Sequence, residues 1–327
     1  MLPAGHVLFH NFQHAVTISP QGDRIAFTAT PLASSSQPGI GGFLGFVGRS
    51  SGLSFSSPPK IYVKSLDQWE VVQIPGTEWG IDPFFSPDGQ SVAFVQAAAP
   101  GSASVLKRVT LSGGAPVVLV ERLSATYMGA AWGPNGTIVF SPDVVGGLKS
   151  VSDTGGAIQD LTKLNAGTNE ISHRFPHFLP DGSGVLFTVL QYSSLSRDWK
   201  RAQVWVKSLK TGDRKLLMEN ATDGEGVGNR YLVFAREGKL LAVRFDPNTL
   251  SVQGSPVPVI DGITHSLYNS VINSNTGAAQ FSVSNTGTLL YAPGSVEPPS
   301  RRTNADERTV IVPGRCSWTT SAGTSSR

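Results

Sequence analysis

The chain has 327 residues, of which 15% are charged, and its formal net charge is +3. So small a charge argues against a nucleic-acid-binding surface, and the single cysteine, Cys316, excludes an intrachain disulfide and a Cys₂ or Cys₄ zinc site. The 36 glycines and 22 prolines favour tight turns over long helices, and no apolar stretch approaches the ~20 residues that span a bilayer.

The first predicted unit begins with the turn Ser19-Pro20-Gln21-Gly22 and an apolar run that ends at Phe27. Proline presets the second position of such a turn, and glycine accepts a position where a Cβ is unfavourable. A Gly/Ser-rich stretch, residues 31–59, separates this run from residues 61–66, whose alternating apolar and polar side chains are typical of a β-strand. Insertions of this length are usually functional or unstructured. Three alternatives are left open for residues 31–59: they dock to a partner, they pack on the domain itself, or they are mobile.

The same turn and strand recur along the rest of the chain. The later turns are Ser86-Pro87-Asp88-Gly89, Gly133-Pro134-Asn135-Gly136, Leu179-Pro180-Asp181-Gly182 and, more loosely, Ser284-Asn285-Thr286-Gly287. The aromatic residues that close the following strands are Phe27, Phe94, Phe140, Phe187, Phe234 and Tyr291. Their spacings are 67, 46, 47, 47 and 57 residues, which gives a period of about 47 with two insertions.

A repeat of this length with four short antiparallel strands per unit is typical of a β-propeller. Each blade is apolar on both faces and is stable only between two neighbours. We therefore predict an all-β, six-bladed propeller over residues 1–295, with residues 31–59 as an insertion in blade 1. Residues 296–327 form an atypical, polar tail with one candidate strand at 309–312, so whether the sixth blade is complete is left open.

The Ser-Pro-Asp-Gly turn followed by a strand ending in Ala-Phe resembles the TolB-like, WD-repeat-like propeller repeat of bacterial proteins. The runs 82–89, 178–182, 236–242 and 282–289 further resemble the propeller that follows the kinase domain of many bacterial serine/threonine kinases. This resemblance covers residues 12–294 and implies a sensor module of a kinase-type receptor. In that context the propeller would lie outside the cytoplasm, whereas no export signal is recognisable at the start of the chain, so the compartment is left open.

Catalytic motifs are absent or lie in the wrong context. The Gly-rich loop, His-Arg-Asp and Asp-Phe-Gly motifs of a kinase do not occur. Gly48-Arg49-Ser50-Ser51-Gly52 matches a nucleophile elbow but lies in the Gly/Ser-rich stretch without the strand and helix that the motif needs. We predict no catalytic residues, no metal and no cofactor.

Five polar residues are candidates for a binding site at the mouth of the propeller channel. When the units are aligned on the turn proline, His14 and Arg174 occupy equivalent positions of innermost strands. Asp82 lies one residue after this position in its unit, and His173 lies one residue before it. Glu225 is the fifth candidate. Hydration of the channel is the alternative role for such residues.

The function predicted from these features is non-catalytic recognition of a protein or peptide on the rim or at the channel mouth. The alternatives are a metal-assisted hydrolase or lyase at the channel mouth and the gating propeller of a prolyl-oligopeptidase-like protease. No nucleic-acid partner is predicted, and the oligomeric state is left open.

Overall fold

The computed structural model describes most of the repeat region and part of the C-terminal segment. The described residues are 2–9, 13–31, 57–97, 103–192, 199–228, 230–267, 276–294 and, for the backbone alone, 312–315. The predicted insertion, apart from its ends, the Gly48–Gly52 motif and Cys316 lie outside these residues.

Within these ranges, the strands pair antiparallel in five sheets of at least four strands and one sheet of three. Blade 1 contains β1 (His6–Leu8), β2 (Val16–Ile18), β3 (Arg24–Pro31), β4 (Lys60–Ser65) and β5 (Val72–Gln73). Blade 2 contains β6 (Gly80–Phe85), β7 (Ser91–Gln96), β8 (Ser104–Thr110) and β9 (Val117–Leu123). Blade 3 contains β10 (Ala130–Trp132), β11 (Thr137–Phe140), β12 (Lys149–Ser152) and β13 (Gln159–Asp160).

Two further blades and the three-stranded sheet follow. Blade 4 contains β14 (Glu170–Phe178), β15 (Gly184–Gln191), β16 (Gln203–Ser208) and β17 (Arg214–Glu219). Blade 5 contains β18 (Thr222–Val227), β19 (Tyr231–Arg236), β20 (Lys239–Asp246) and β21 (Ser251–Asp261). The remaining sheet, called sheet 6, contains β22 (Phe281–Val283), β23 (Thr288–Tyr291) and β24 (Val312–Arg315).

The sheets are arranged in a ring around one axis. The innermost strands contact one another in the order β2, β6, β10, β14, β18 and β22, and β22 contacts β2 again. A separate cluster of buried apolar side chains fills each junction between neighbouring sheets. The predicted all-β propeller with antiparallel sheets is therefore confirmed, and burial between neighbours is what holds each sheet in place.

The prediction of six blades is wrong, because the described residues form five blades of four or more strands. Sheet 6 completes the ring with three strands in the described part of the chain, and its outer strand β24 pairs with β23 from Thr288↔Arg315 to Tyr291↔Val312. β24 begins where the candidate strand 309–312 was expected to end. The segment between β23 and β24 lacks the regular alternation that defines the outer strands of the other sheets.

Local hydrogen bonds explain the repeated turn. The Ser86 hydroxyl accepts a hydrogen bond from the Ser91 amide at 2.9 Å and donates one to the Asp88 carboxylate at 2.5 Å. The Gly89 amide donates to the Ser86 carbonyl at 2.9 Å, and Gly89 has a φ of 69°, which favours glycine.

The repeated aromatic of each blade lies on the strand that pairs with its innermost strand. Phe27, Phe94, Phe140, Phe187 and Phe234 are each at most 1% exposed. Burial of a phenylalanine side chain contributes roughly 2 kcal/mol, so these five positions are major determinants of packing between blades.

Helical structure in the described ranges is confined to two 3-10 turns, Ala166–Thr168 and Trp199–Arg201. Within those ranges no helix is long and apolar enough to cross a membrane.

Candidate functional site

A cavity of ≈ 160 Å³ lies on the axis, and residues from all six innermost strands line it. His14, Asp82 and Asp223 lie at one end of the lining. The prolines of the repeated turns lie at the other end: Pro20, Pro87, Pro134 and Pro180. The turn residues Gln21, Asp88, Asn135, Asp181 and Asn285 are exposed. We call this side the turn face, and the cavity opens on it.

Bulges in the innermost strands direct the acidic side chains to the axis. Asp82, Phe175 and Asp223 have φ values of 53°, 50° and 55°, and each lies at a register shift of its strand pair. A left-handed residue at a bulge re-aims the side chains beside it. Aspartate adopts this conformation more readily than most residues, which is consistent with its presence at two of these three positions.

The end of the cavity away from the turns is formed by the floor cluster, which we define as His14, Asp82 and Asp223. The Nε2 atom of His14 lies 2.7 Å from Oδ2 of Asp223, and its Nδ1 atom lies 3.4 Å from Oδ1 of Asp82. The His14 amide also donates a hydrogen bond to Oδ1 of Asp82 at 3.2 Å. One imidazole thus joins blades 1, 2 and 5 across the axis.

Further hydrogen bonds hold both aspartates in place. The Tyr127 hydroxyl donates to Oδ2 of Asp82 at 2.7 Å, and the Ala279 amide donates to Oδ2 of Asp223 at 2.8 Å. Behind the floor cluster, the buried side chain of Gln280 donates to the Gln13 carbonyl at 2.8 Å. The cavity is therefore closed by a hydrogen-bonded layer on this side.

The charge of His14 follows from its neighbours. Burial by itself would lower the pKa of His14, but the carboxylates of Asp223 and Asp82 raise it well above its usual value. His14 is therefore an imidazolium at neutral pH, and the floor cluster has a formal charge of one negative unit.

A second acid and a second histidine lie on the cavity wall. The Glu225 side chain is 10% exposed, and its Oε2 accepts a hydrogen bond from the Val283 amide at 2.8 Å. Burial, with Asp223 as a neighbour, raises the pKa of Glu225 to about 8. His177 Nε2 lies 3.6 Å from Oε2 of Glu225, and burial lowers the pKa of His177 to about 4, so both groups are mostly uncharged at neutral pH.

The structure places the five sequence-predicted residues in two different environments. His14, Asp82 and Glu225 line the cavity, whereas His173 and Arg174 do not. The bulge at Phe175 is the physical reason, because it brings Phe175 and His177 to the cavity in their place. Ligand binding by any of the five remains a prediction.

His173 belongs to a second cluster, at the junction of blades 3 and 4. Its Nδ1 lies 2.7 Å from the Thr162 hydroxyl and its Nε2 lies 3.1 Å from Oε2 of Glu170. Arg214 donates to both Glu170 oxygens, at 3.0 and 2.8 Å. We call Thr162, Glu170, His173 and Arg214 the junction cluster.

Arg174 is buried without a carboxylate partner among the described residues. It donates to the Ser172 hydroxyl at 3.0 Å and to the carbonyls of Thr276 and Val144 at 2.9 and 3.2 Å. Its guanidinium carbon lies 5.6 Å from the ring centroid of Trp199. Burial lowers the pKa of Arg174 to about 10, so it keeps its charge and links a loop of blade 3 to the segment that precedes β22.

Sequence reasoning missed Asp223 and His177. Asp223 is two residues before Glu225, the spacing that places side chains on one face of a strand, and this was a usable signal. His177 is four residues after His173 on the same strand, and only the bulge between them decides which one faces the cavity.

One group of side chains among the described residues has the order of a catalytic triad but is buried. Thr162, His173 and Glu170 are in hydrogen-bonding order for a triad, but they are 8%, 0% and 6% exposed, which leaves no path to the hydroxyl. No group of three or more side chains in the described ranges is arranged to hold a metal ion.

Solved structures show the same fold at low sequence identity. TolB from Acinetobacter baumannii matches with a TM-score of 0.52 and 17% identity, covering 76% of this chain and 54% of that one. A TolB-like protein from Agrobacterium tumefaciens matches with a TM-score of 0.51 and 16% identity, covering 76% and 80%. A chain of the nidogen–laminin complex matches with a TM-score of 0.53 and 13% identity, covering 72% and 83%.

These similarities establish a TolB-like propeller fold and nothing about activity, because identities this low are informative about fold alone. The present chain spans about half the length of the Acinetobacter TolB chain. No protein-family model matches the sequence, and no curated protein matches it.

Proposed function

We propose that this chain is a non-catalytic binding module that recognises a protein or peptide segment at the mouth of its central cavity on the turn face. The observation that carries the proposal is the cavity itself, because every innermost strand contributes to its wall and a hydrogen-bonded layer forms its floor. A rigid concave site with a few convergent polar groups is the usual form of a ligand site.

Two further observations support recognition over catalysis. The hydroxyl groups that line the cavity, on Thr17 and Ser282, are not hydrogen-bonded to a histidine among the described residues. The same architecture also occurs in a chain of the nidogen–laminin complex, so a propeller of this kind can serve protein recognition.

Selection of displayed random peptides on the full chain tests this proposal. Thr17 lines the cavity on β2, and Thr17→Phe should fill it, whereas Thr110→Phe changes an exposed residue at the end of β8. We expect selected peptides to bind the wild type and Thr110→Phe equally and to bind Thr17→Phe at least about tenfold more weakly. Failure to select any peptide, or equal binding to all three proteins, would show the proposal to be wrong.

We further propose that the module is the sensor part of a kinase-type receptor. The support is the sequence resemblance over residues 12–294 to propellers that follow bacterial kinase domains. The genomic DNA upstream of this chain is the direct test: an in-frame kinase domain with its Gly-rich loop and His-Arg-Asp motif is expected, and an unrelated upstream gene would contradict the proposal.

A further inference from the structure

We propose that the cavity binds the cationic side chain of a lysine or arginine from the recognised peptide, with the Glu225 carboxylate as its main contact. This inference rests on the proposed function and names the chemical group that the peptide inserts.

Glu225 lines the cavity and has one carboxyl oxygen that no described residue uses as an acceptor. Its side chain is nine-tenths buried and lines the cavity, and Oε2 is occupied by the Val283 amide. Oε1 has no hydrogen-bond partner among the described residues. The Glu225 side chain keeps 10% of its surface exposed and lines the cavity, so a ligand N–H can reach this free acceptor and form a charge-assisted hydrogen bond.

The lining has an excess of acidic groups that a cation would balance. Asp82, Asp223 and Glu225 supply three carboxyl groups, and His14 supplies one compensating positive charge. Within the described part of the chain, no lysine or arginine lines the cavity. An anionic ligand would therefore enter a site with no positive group other than His14, which is already paired twice.

The walls suit the aliphatic part of a long cationic side chain. Aromatic and proline side chains surround the acids, among them Phe84, Trp132, Phe178 and Pro134. Lysine and arginine pack their methylene stems on apolar surface while the charged end reaches polar groups, and aromatic rings attract cations. A cavity of ~150 Å³ accommodates a group the size of benzene, so the observed ≈ 160 Å³ admits one side chain while the peptide backbone stays at the mouth.

Exposed acids next to the mouth would favour the approach of a cationic peptide. Asp88 and Asp181 each follow a proline that lines the cavity, and both are exposed on the turn face. The attraction between these exposed carboxylates and a cationic peptide acts over roughly 8 Å at physiological ionic strength. It therefore affects the association rate more than the stability of the bound complex.

Binding is coupled to a proton. The groups that face Glu225 are Asp223 on its own strand, His177 on β14 and His14 before β2, with Asp82 beyond His14. Burial and Asp223 raise the pKa of Glu225 to about 8, while the Val283 amide and His14 oppose this. A bound cation favours the carboxylate, so it displaces the proton at neutral pH, and affinity should rise with pH up to about 8.

The test uses the full chain and blocked pentapeptides, acetyl-Gly-Ser-X-Ser-Gly-amide, with X as lysine, arginine, norleucine or glutamate. Ligand-detected NMR and calorimetry at pH 7 measure binding. We expect the lysine and arginine peptides to bind at least about tenfold more tightly than the norleucine and glutamate peptides. Calorimetry in buffers of different ionisation enthalpy should show release of close to one proton.

Glu225→Gln keeps an acceptor for the Val283 amide and should fold, which a thermal unfolding curve checks. We expect it to weaken lysine-peptide binding by roughly 10- to 100-fold and to abolish proton release. Glu121→Gln is the matched control, because Glu121 is exposed on β9, and it should change neither quantity.

Each outcome decides the inference. Equal binding of the lysine and norleucine peptides would overturn the inference that a cation is recognised, without contradicting the proposal that the cavity mouth recognises peptides. Equal lysine-peptide affinity of wild type and Glu225→Gln would overturn the role of Glu225. Absence of binding by all four peptides at about 5 mM would also overturn it, while the display selection separately decides whether the mouth recognises peptides at all.

Discussion

The floor cluster pairs a histidine with two carboxylates and the junction cluster pairs a histidine with one, yet the two histidines are in opposite charge states. The carboxylates of Asp223 and Asp82 raise the pKa of His14 well above its usual value despite burial. Burial lowers the pKa of His173, and Glu170 only partly opposes this. Burial is thus common to both sites, and the balance of nearby charges makes the difference.

Arg214 contributes to this contrast. Burial would raise the pKa of Glu170, but hydrogen bonds from Arg214 and the Asn165 amide hold it below its usual value. The carboxylate is therefore already neutralised by an arginine, and His173 remains neutral. The floor cluster has two aspartates and no arginine, so its histidine carries the compensating charge.

The largest expected effect comes from breaking the floor cluster. Asp223→Ala leaves His14 with one carboxylate at 3.4 Å and leaves the Ala279 amide without its acceptor. Loss of one member of a buried ion pair costs about 4 kcal/mol, so we expect a drop of this size in the free energy of unfolding, measured by urea denaturation.

Asp261→Asn is the control for this measurement. Asp261 pairs with Lys239 at 3.0 Å, and their side chains are 77% and 51% exposed. Exposed pairs contribute less than about 1 kcal/mol. Similar losses in Asp223→Ala and Asp261→Asn would mean that the floor cluster is no more than a surface ion pair.

The second prediction concerns the charge of His173, which should become more like that of His14 when the junction cluster loses its arginine. Arg214→Met removes the cation from Glu170, so His173 becomes the closest group able to balance that carboxylate. We expect the pKa of His173 to rise, measured by NMR titration, and the free energy of unfolding to fall by about 3 kcal/mol. An unchanged or lower pKa would contradict the role assigned to Arg214.

The smallest effect is the pH dependence of stability. His14 and Glu225 both have raised pKa values in the fold, so the folded chain binds more protons than the unfolded chain between pH 6.5 and about 8. Stability from both groups is therefore present below the unfolded pKa values and is lost as pH rises through the folded ones.

We expect the free energy of unfolding to decrease by about 2 kcal/mol from pH 6.5 to 8. His173, His177 and His265 have lowered pKa values in the fold and are partly protonated in the unfolded chain near pH 6.5, so they oppose this decrease by a smaller amount. Denaturation curves of His14→Gln and Glu225→Gln should each show a smaller decrease than the wild type. If the free energy of unfolding depended on pH equally in the wild type and both variants, groups other than His14 and Glu225 would be responsible for the decrease.

Most of the fold could be predicted from the chain because its determinants are local. Ser86, Asp88 and Gly89 form their turn through contacts within six residues, and Phe94 is buried as its position in the repeat indicates. The blade count could not be predicted in this way. It depended on whether residues after Tyr291 supply the outer strands of the last sheet, and only β24 does so within the described residues.

Less of the candidate site could be predicted, because alternation along a strand assumes regular pairing. The register shift between Arg174 and His177 breaks that assumption, so His173 faces the junction with blade 3 and His177 faces the axis, while Arg174 bonds the carbonyls of Val144 and Thr276. Asp82 and Glu225 could be placed near the axis from the repeat, but their contacts with His14 and Val283 involve other blades.

The sequence by itself determined the repeat, the turns and the strands, since proline, glycine and alternating apolar residues act over a few positions. The tertiary structure alone decided that His14 meets Asp82 and Asp223, which lie 68 and 209 residues further along the chain. Closure of the ring brings these groups together, and their mutual field then sets which of them carries charge.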